Sequence, residues 1–444
     1  MLKKIFAILI FLVLLGGGFY LYQSSPSNVY YAQNLISLNP SQLSDYNNTR
    51  LIHVFESLVK YDKNLRIQSS LARSYGKLSP TIWEFTLKDN VYTHDGTFVD
   101  AAFLVKQLDR LRSLPSLKMH FKTIQQIKHS SDFTIQLSLT QPDPLILAKL
   151  AQVPIIDLDQ PLSGTGPYQI LGMKGQSLKL QRFDLYHGNL ASLDKLNLIY
   201  EPDTQKRLKK LNSTATLSVL NILPEQIQRL PQDFNYDSFS DLSSHFFIFN
   251  YKTQLGAQKD FQATIFSLLK NIDFAKFTYN QVASTDQFIP KGVFGYDPTA
   301  TSEFGIQSEF TIPKALQDQE IQIAINSDLA TFGEYLKNYF QSSGLKVKIK
   351  TLELSQAQTS DLADCPLVFI GFKSDYADSQ SFFETLAKTG SRYNFGFYRN
   401  LNIQANLQQI TQAQTPKDRL AILQKMNQII LNYPALGVPV YENK

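Results

Sequence analysis

The sequence predicts an α/β protein built of about two or three domains. Its 444 residues, 43% of them hydrophobic, are more than one hydrophobic core usually holds. Segments with strand-like alternation are interspersed with segments of helical periodicity. The apolar run Leu367–Phe372 is typical of a strand that is buried on both faces. These observations favour α/β lobes over a helical bundle or a β-barrel.

The first half of the chain begins with predicted strands and one clear helix. Apolar residues alternate in Trp83–Tyr92, as they do in a half-buried strand. After a turn, Asp100–Leu111 has apolar residues at helical spacing. The other strands predicted in this half are Val29–Gln33, Phe133–Leu139 and Leu196–Pro202.

The second half predicts a β-α-β unit. Ile321–Ser327 and Leu345–Leu352 are strand-like, and Phe332–Ser343 between them has helical periodicity. A further strand is predicted at Phe246–Lys252, and a last helix at Asp418–Leu431.

Composition argues against several classes of function. The 43 basic and 38 acidic side chains are spread along the chain, so we expect no nucleic-acid binding. Cys365 is the only cysteine and the six histidines lie far apart, so we expect no metal site. The sequence has no GxSxG, no Walker-type loop and no GxGxxG that opens a helix. We therefore expect no cofactor, no catalytic residue and no enzymatic activity.

Two glycine-containing motifs have a structural and a chemical interpretation. His94-Asp95-Gly96 suits a turn, since Asp-Gly is common turn chemistry, and a catalytic His–Asp dyad is the alternative. Gly164–Pro167 (GTGP) suits a turn better than a phosphate loop. The reason is that Pro167 lacks the backbone N–H that a phosphate cradle would use.

Two carboxylates follow the predicted buried strand directly. Asp375 and Asp378 lie three residues apart, just beyond Leu367–Phe372. Carboxylates at the end of a strand in an α/β lobe are well placed to face a ligand cleft. Two solvated loop acids are the alternative, and the residues alone leave both possibilities open.

The N-terminus has the layout of an export signal. Lys3 and Lys4 precede the apolar run Ile5–Tyr22, which is just long enough to span a bilayer as a helix. No small-residue cleavage site follows the run. We therefore expect residues 5–22 to anchor the protein in the cytoplasmic membrane, with Gln23–Asn28 as a flexible tether and the folded part outside.

Several segments match, in chain order, the motifs of one protein family. They are SLNP (Ser37–Pro40), VFESLVKYD (Val54–Asp62), LARSY (Leu71–Tyr75), WEFTLKDNVYTHDGTFVDAAFLV (Trp83–Val105), GTGPYQI (Gly164–Ile170), FFIFN (Phe246–Asn250), KNID (Lys270–Asp273), GFKSDYADSQSFFE (Gly371–Glu384) and LGVPVY (Leu436–Tyr441). Over most of Leu38–Tyr441 the chain thus resembles bacterial extracellular solute-binding protein family 5. This family comprises the oligopeptide- and dipeptide-binding proteins of peptide ABC transporters.

The resemblance implies an α/β, two-lobed periplasmic-binding-protein fold of class II type, with an extra domain inserted in the first lobe. In this fold the lobes close about a hinge and enclose the ligand. The expected bounds are 1–27 for the signal or anchor helix and tether, 28–50 and 156–243 for the first lobe, 51–155 for the inserted domain, 244–424 for the second lobe, and 425–444 for a shortened return to the first lobe.

The resemblance also implies a ligand site. Asp375 takes the position of the aspartate that holds the α-ammonium of a bound peptide, and the backbone of Gly371–Lys373 would pair with the peptide main chain. Phe372 replaces the indole of the family motif, and Lys373 adds a charge. The remaining positions expected at the ligand are Tyr376, Asp45, Tyr46, Asn47 and Asn221.

The implied function is that of a periplasmic, monomeric substrate-binding component of an ABC importer. It would capture short peptides in the inter-lobe cleft and deliver them to permease subunits in the inner membrane. Two alternatives stay open. The chain could be a membrane-tethered, non-transport homologue that acts as a sensor, chaperone or interaction protein, or it could bind a non-peptide solute.

Overall fold

The computed structural model describes residues 26–32, 51–222, 230, 242–277, 282–305, 311–354, 356–374, 376–413 and 415–443. They divide into two compact units, one within Met1–Ile227 and the other within Gln228–Lys444. Each unit has its own sheets and its own hydrophobic core, which confirms the predicted α/β class. The predicted anchor at residues 5–22 lies outside the described residues. Among the helices that are described, none has the length and apolar character needed to cross a membrane.

The first unit contains a five-stranded and a four-stranded sheet. Its strands are β1 (Ser27–Tyr31), β2 (Val59–Tyr61), β3 (Ile67–Ser69), β4 (Ala72–Ser79), β5 (Ile82–Leu87), β6 (Ile124–Ser131), β7 (Thr134–Leu139), β8 (Tyr168–Lys174), β9 (Ser177–Arg182), β10 (Lys195–Tyr200) and β11 (Thr216–Val219). Its helices are α1 (Ala101–Leu111), α2 (Ile146–Ala151) and α3 (Thr204–Lys209), followed by a 3-10 turn at Lys210–Asn212. The strand orders are β11-β1-β10-β9-β8 and β4-β5-β7-β6, and β2 pairs with β3.

Helix α1 begins where its sequence signals predict. The Asp100 carboxylate accepts the backbone N–H of Phe103 at 2.7 Å, which caps the first turn. The apolar buried residues of the helix recur every three or four positions: Ala101, Leu104, Leu108 and Leu111. One face of α1 therefore packs on strands β6 and β7 of the four-stranded sheet.

His94 and the loop Gly164–Pro167 pack together as structural elements. His94 Nδ1 accepts the Gly164 N–H at 3.2 Å, and His94 Nε2 donates to the Gly166 carbonyl at 3.0 Å. A Cβ on Gly164 would lie 2.0 Å from the carbonyl oxygen of Val54, so only glycine permits this close approach. Because both ring nitrogens bond the loop backbone, the structure supports a turn here and not a His–Asp dyad.

The second unit is built on a six-stranded sheet of order β13-β17-β12-β16-β14-β15. Its strands are β12 (Ser243–Phe249), β13 (Val282–Ser284), β14 (Glu320–Asn326), β15 (Lys346–Leu352), β16 (Leu367–Lys373) and β17 (Gly437–Asn443). Its helices are α4 (Lys259–Lys270), α5 (Phe274–Phe277), α6 (Lys314–Gln317), α7 (Ala330–Ser342), α8 (Gln380–Phe382), α9 (Leu401–Gln409) and α10 (Pro416–Leu431). Short 3-10 or π turns are formed by Ser327–Leu329, Thr359–Leu362, Phe383–Ala387 and Ile410–Gln412.

The predicted β-α-β unit is present as β14, α7 and β15, with the two strands parallel over their whole length. The predicted buried strand is β16, in which Leu367 to Ile370 are all buried. Apolar clusters cover the two faces of this sheet: one contains Phe247 and Phe369, the other Phe246 and Val368. A strand covered on both sides explains the unbroken apolar run in its sequence.

The C-terminal residues do not follow the expected return to the first lobe. We expected 425–444 to belong there, but β17 pairs antiparallel with β12 and β13 in the sheet of the second unit. The apolar segment Leu436–Val440 is buried in this sheet. Its burial between two strands provides the physical reason for the difference. The remaining predicted domain bounds stay predictions.

Tryptophan and cysteine each occur once in the chain, and the two residues lie in different units. Trp83, the single tryptophan, lies on β5 and packs against the core of the first unit. Cys365, the single cysteine, is buried in the second unit just before β16. Burial, reinforced by the neighbouring Asp364 carboxylate, raises the pKa of the Cys365 thiol to about 12.

Candidate functional site

Among the described residues, one edge of the carboxyl-terminal half of β16 pairs with no strand. Strand β12 pairs with β16 from Leu367 to Lys373, whereas β14 pairs only with Leu367 and Val368. In the part of the chain that the structure describes, Phe369–Lys373 therefore has no partner strand on the side of β14. Such an edge presents backbone N–H and C=O groups that can pair with an added strand.

Gly371 allows a histidine ring to lie against this part of the strand. Gly371 is opposite His245 of β12, and a Cβ on Gly371 would lie 2.8 Å from His245 Nε2. The imidazole stacks on the ring of Tyr441 at a centroid distance of 4.5 Å. Burial raises the pKa of Tyr441, so this phenol stays neutral under the imidazole.

Phe372 and Lys373 point to opposite faces of the sheet, as successive strand residues do. Phe372 is half-buried and packs edge-on against Phe382 at a centroid distance of 5.3 Å. Lys373 is exposed at the end of the strand, opposite Ser243. The replacement of the family's indole thus leaves an apolar ring on one face, and Lys373 places a cation on the other.

The ends of the loop after β16 are held in place. The Asp378 N–H donates to Ser374 Oγ at 2.9 Å, and Ser374 Oγ–H donates to the Asp378 carbonyl at 2.7 Å. Phe294 bonds the same loop by two backbone hydrogen bonds of 2.9 Å, to Ala377 and from Ser379. Ala377 has a φ of 50°, a left-handed conformation that this network must hold. The loop is thereby fixed at both ends.

Asp378 neither faces a cleft nor lies in solvent, the two alternatives that the sequence left open. Its carboxylate accepts two hydrogen bonds from Arg419, at 2.5 and 2.7 Å, and both side chains are below 10% exposed. Arg419 also donates to Gln380 Oε1 at 2.9 Å and lies 5.2 Å from the centre of the Phe294 ring. Asp378 is thus a structural anchor for the loop.

Sequence reasoning missed Arg419 altogether. It lies in the first turn of α10, which begins with a capping box between Thr415 and Asp418 and with Pro416 in the first turn. These signals predict where the helix starts. They give no indication that the next residue pairs with a carboxylate beyond β16.

The structure describes only some of the other predicted ligand residues. Tyr376 is half-buried in the loop after β16. Asp375, Asp45, Tyr46 and Asn47 lie outside the described residues, so their roles stay predictions. In the described part of the chain, no three His, Cys, Asp or Glu side chains come together in a way that could hold a metal ion.

Asn221 lies in the first unit, at the carboxyl ends of parallel strands. Strand β1 runs parallel to β10 and β11, and Asn221 follows β11 with a φ of 57°. Its Oδ1 accepts the Ala32 N–H at 3.3 Å, and its carbonyl accepts a hydrogen bond from the buried Arg207 at 2.7 Å. Arg207 also donates to the Glu201 carbonyl after β10 at 2.7 Å. Asn221 is therefore held where ligands commonly bind in α/β sheets.

Comparison with known proteins gives one family for most of the chain. The model for the bacterial extracellular solute-binding proteins, family 5 (middle region), matches residues 66–394. The HTH-type transcriptional regulator SgrR of Escherichia coli K12 is 28% identical over 187 residues, which is 39% of this chain and 33% of the regulator. The chain thus spans about a third of the length of the curated relatives it matches.

Solved structures share the fold at low identity. DppA from Helicobacter pylori, in complex with the peptide STSA, has a TM-score of 0.69 at 19% identity, covering 94% of this chain and 92% of that protein. NikA from Staphylococcus aureus, in complex with Ni(L-His)2, has a TM-score of 0.68 at 18% identity, covering 95% of each. The chain belongs to bacterial extracellular solute-binding protein family 5 and has its two-lobed α/β periplasmic-binding-protein fold.

Proposed function

We propose that this chain is the extracytoplasmic substrate-binding component of an ABC importer, which captures short peptides and delivers them to permease subunits in the inner membrane. Family 5 proteins are extracytoplasmic binding proteins of such importers. The chain would act as a monomer, tethered by residues 5–22, and would close about its hinge on the bound peptide. It would carry out no catalysis.

The unpaired edge of β16 is the observation that supports peptide capture. From Phe369 to Lys373 this edge offers main-chain groups to an extended peptide, and Gly371 adds no side chain there. Main-chain pairing recognises any peptide of suitable length, which favours broad specificity. Asp375, two residues beyond Lys373, would supply the carboxylate that an α-ammonium needs when it loses water.

Native mass spectrometry of the full-length chain, purified without denaturation, tests this proposal. We expect adducts of short-peptide mass in the wild type and their loss in Asp375→Ala. Asp318→Ala is the matched control, because Asp318 is an exposed acid at the end of α6 in the same unit. A wild-type protein that carries no adduct and ignores added di- to pentapeptides would overturn peptide capture.

A non-peptide ligand is the second candidate, favoured by the fold shared with NikA in its Ni(L-His)2 complex. Adding nickel and histidine to the same measurement separates a peptide from a nickel–histidine ligand, because the adduct mass differs.

A role as a sensor or interaction protein is the third candidate function. The similarity to a transcriptional regulator over 39% of the chain supports it. A chain that binds peptide without supporting peptide uptake in cells would favour this role over transport.

A further inference from the structure

We infer that Lys373 makes the site selective for peptides that place a carboxylate beside it, from an acidic side chain or from the C-terminus of a short peptide. This inference rests on the proposed function, because it takes the peptide to lie along β16. It adds a chemical preference that main-chain pairing alone does not give.

Lys373 shares one face of the sheet with a row of polar side chains. Gly371 and Lys373 project to the same face, and their partners across β12 are His245 and Ser243. Ser243 accepts a hydrogen bond from the side chain of Asn443 on β17 at 2.8 Å. Lys373, which is exposed at the end of β16, supplies the charge on this face.

The described residues provide Lys373 with no counter-charge. Its side chain makes no hydrogen bond or ion pair with any residue that the structure describes. The acid next in line on β17, Glu442, is paired with Ser244 and so lies on the opposite face, where it accepts the Lys291 N–H at 3.2 Å. An ammonium that a ligand covers loses water, and it then needs an anionic partner from the ligand.

The free edge brings ligand side chains within reach of this ammonium. A strand added beside β16 would lie about 4.8 Å away. Its side chains on the same face would then have Cβ atoms about 5 Å from those of β16. A carboxylate next to Lys373 could belong to a glutamate side chain or to the C-terminus of a short peptide. Both present the same chemistry.

Binding of a set of tripeptides to the full-length chain tests the inference. Each peptide is Ala-Ala-Ala with one Glu, Gln or Lys at one position, prepared with a free or an amidated C-terminus. We expect the wild type to bind one Glu peptide about tenfold tighter than its Gln counterpart, or to lose about tenfold on amidation. The first result identifies a side-chain carboxylate and the second a terminal one.

Lys373→Glu should remove this preference and favour a Lys peptide at the same position. Lys348→Glu is the matched control, since Lys348 is an exposed lysine on β15 of the same sheet and the change in net charge is equal. Its preference should equal that of the wild type. Equal binding of all the peptides, whether Glu, Gln or Lys and whether free or amidated at the C-terminus, would overturn the inference and leave peptide capture intact. The same preference in Lys373→Glu as in the wild type would also overturn it. A wild type that binds none of the peptides would overturn both proposals.

Discussion

Asp378 and Arg419 lie 41 residues apart in the sequence and are joined by two hydrogen bonds inside the second unit. The pair connects the loop after β16 to the first turn of α10. Because both groups are buried and charged, each depends on the other for compensation of its charge. The loop next to the predicted ligand aspartate is therefore fixed by a helix near the end of the chain.

Breaking this pair should destabilise the second unit strongly. Arg419→Met leaves the Asp378 carboxylate buried without its partner, so we expect the free energy of unfolding to fall by about 3–5 kcal/mol. Urea denaturation measures the change. Lys350→Met is the control: the Lys350–Asp364 pair has a similar distance, 2.8 Å, but its side chains are 30% and 50% exposed. Its loss should cost at most about 1 kcal/mol. An equal cost in both variants would contradict the structural role of the buried pair.

A methyl group on Gly371 should displace His245. Since the added Cβ would lie 2.8 Å from Nε2, the ring must move off the ring of Tyr441. We expect Gly371→Ala to lower the free energy of unfolding by about 1–3 kcal/mol, as overpacking does. It should also weaken peptide binding along β16. Adding His245→Ala removes the obstacle, so the double variant should recover much of the binding. Equal binding by Gly371→Ala and the wild type would show that the ring can move without cost.

The thiol of Cys365 should not react in the folded protein. Burial keeps the thiol away from reagents, and its pKa of about 12 keeps it protonated at pH 8. In the unfolded chain a cysteine has a pKa near 8.5 and is accessible, so it should react readily. Labelling with iodoacetamide, with and without urea and followed by mass spectrometry, measures the difference. Rapid labelling of the native chain would mean that the segment before β16 opens easily.

Acid should weaken the first unit through His94. Burial lowers the pKa of His94, and its Nδ1 already accepts the Gly164 N–H, so the folded state resists protonation. Because an unfolded histidine has a pKa of about 6.5, the unfolded chain takes up the proton first. The free energy of unfolding should therefore be unaffected above that pH and fall as the pH drops through the folded-state value. Urea midpoints between pH 5 and 8 measure this. His94→Gln should reduce the dependence, and His129→Gln, at an exposed site on β6, should not.

Local patterns predicted the elements that follow local rules. The β-α-β unit and helix α1 follow from periodicity, and β16 from its apolar run. The last strand was misplaced because the expected domain bounds were transferred from the family. The pairing of Leu436–Tyr441 with β12 depends on which sheet offers a free edge. The bond between Asp378 and Arg419 and the approach of His245 to Gly371 join distant residues. Such contacts exist only once the sheet is packed, so no spacing in the sequence indicates them.

The positions of Trp83 and Cys365 give each unit its own intrinsic probe. Tryptophan fluorescence reports the surroundings of β5 alone, whereas alkylation of the single thiol reports exposure of the second unit alone. If fluorescence and alkylation are both followed in one urea titration of the wild-type chain, they yield a separate unfolding curve for each unit. A ligand that binds only along β16 should shift the thiol curve to higher urea and leave the fluorescence curve in place, unless the units unfold as one.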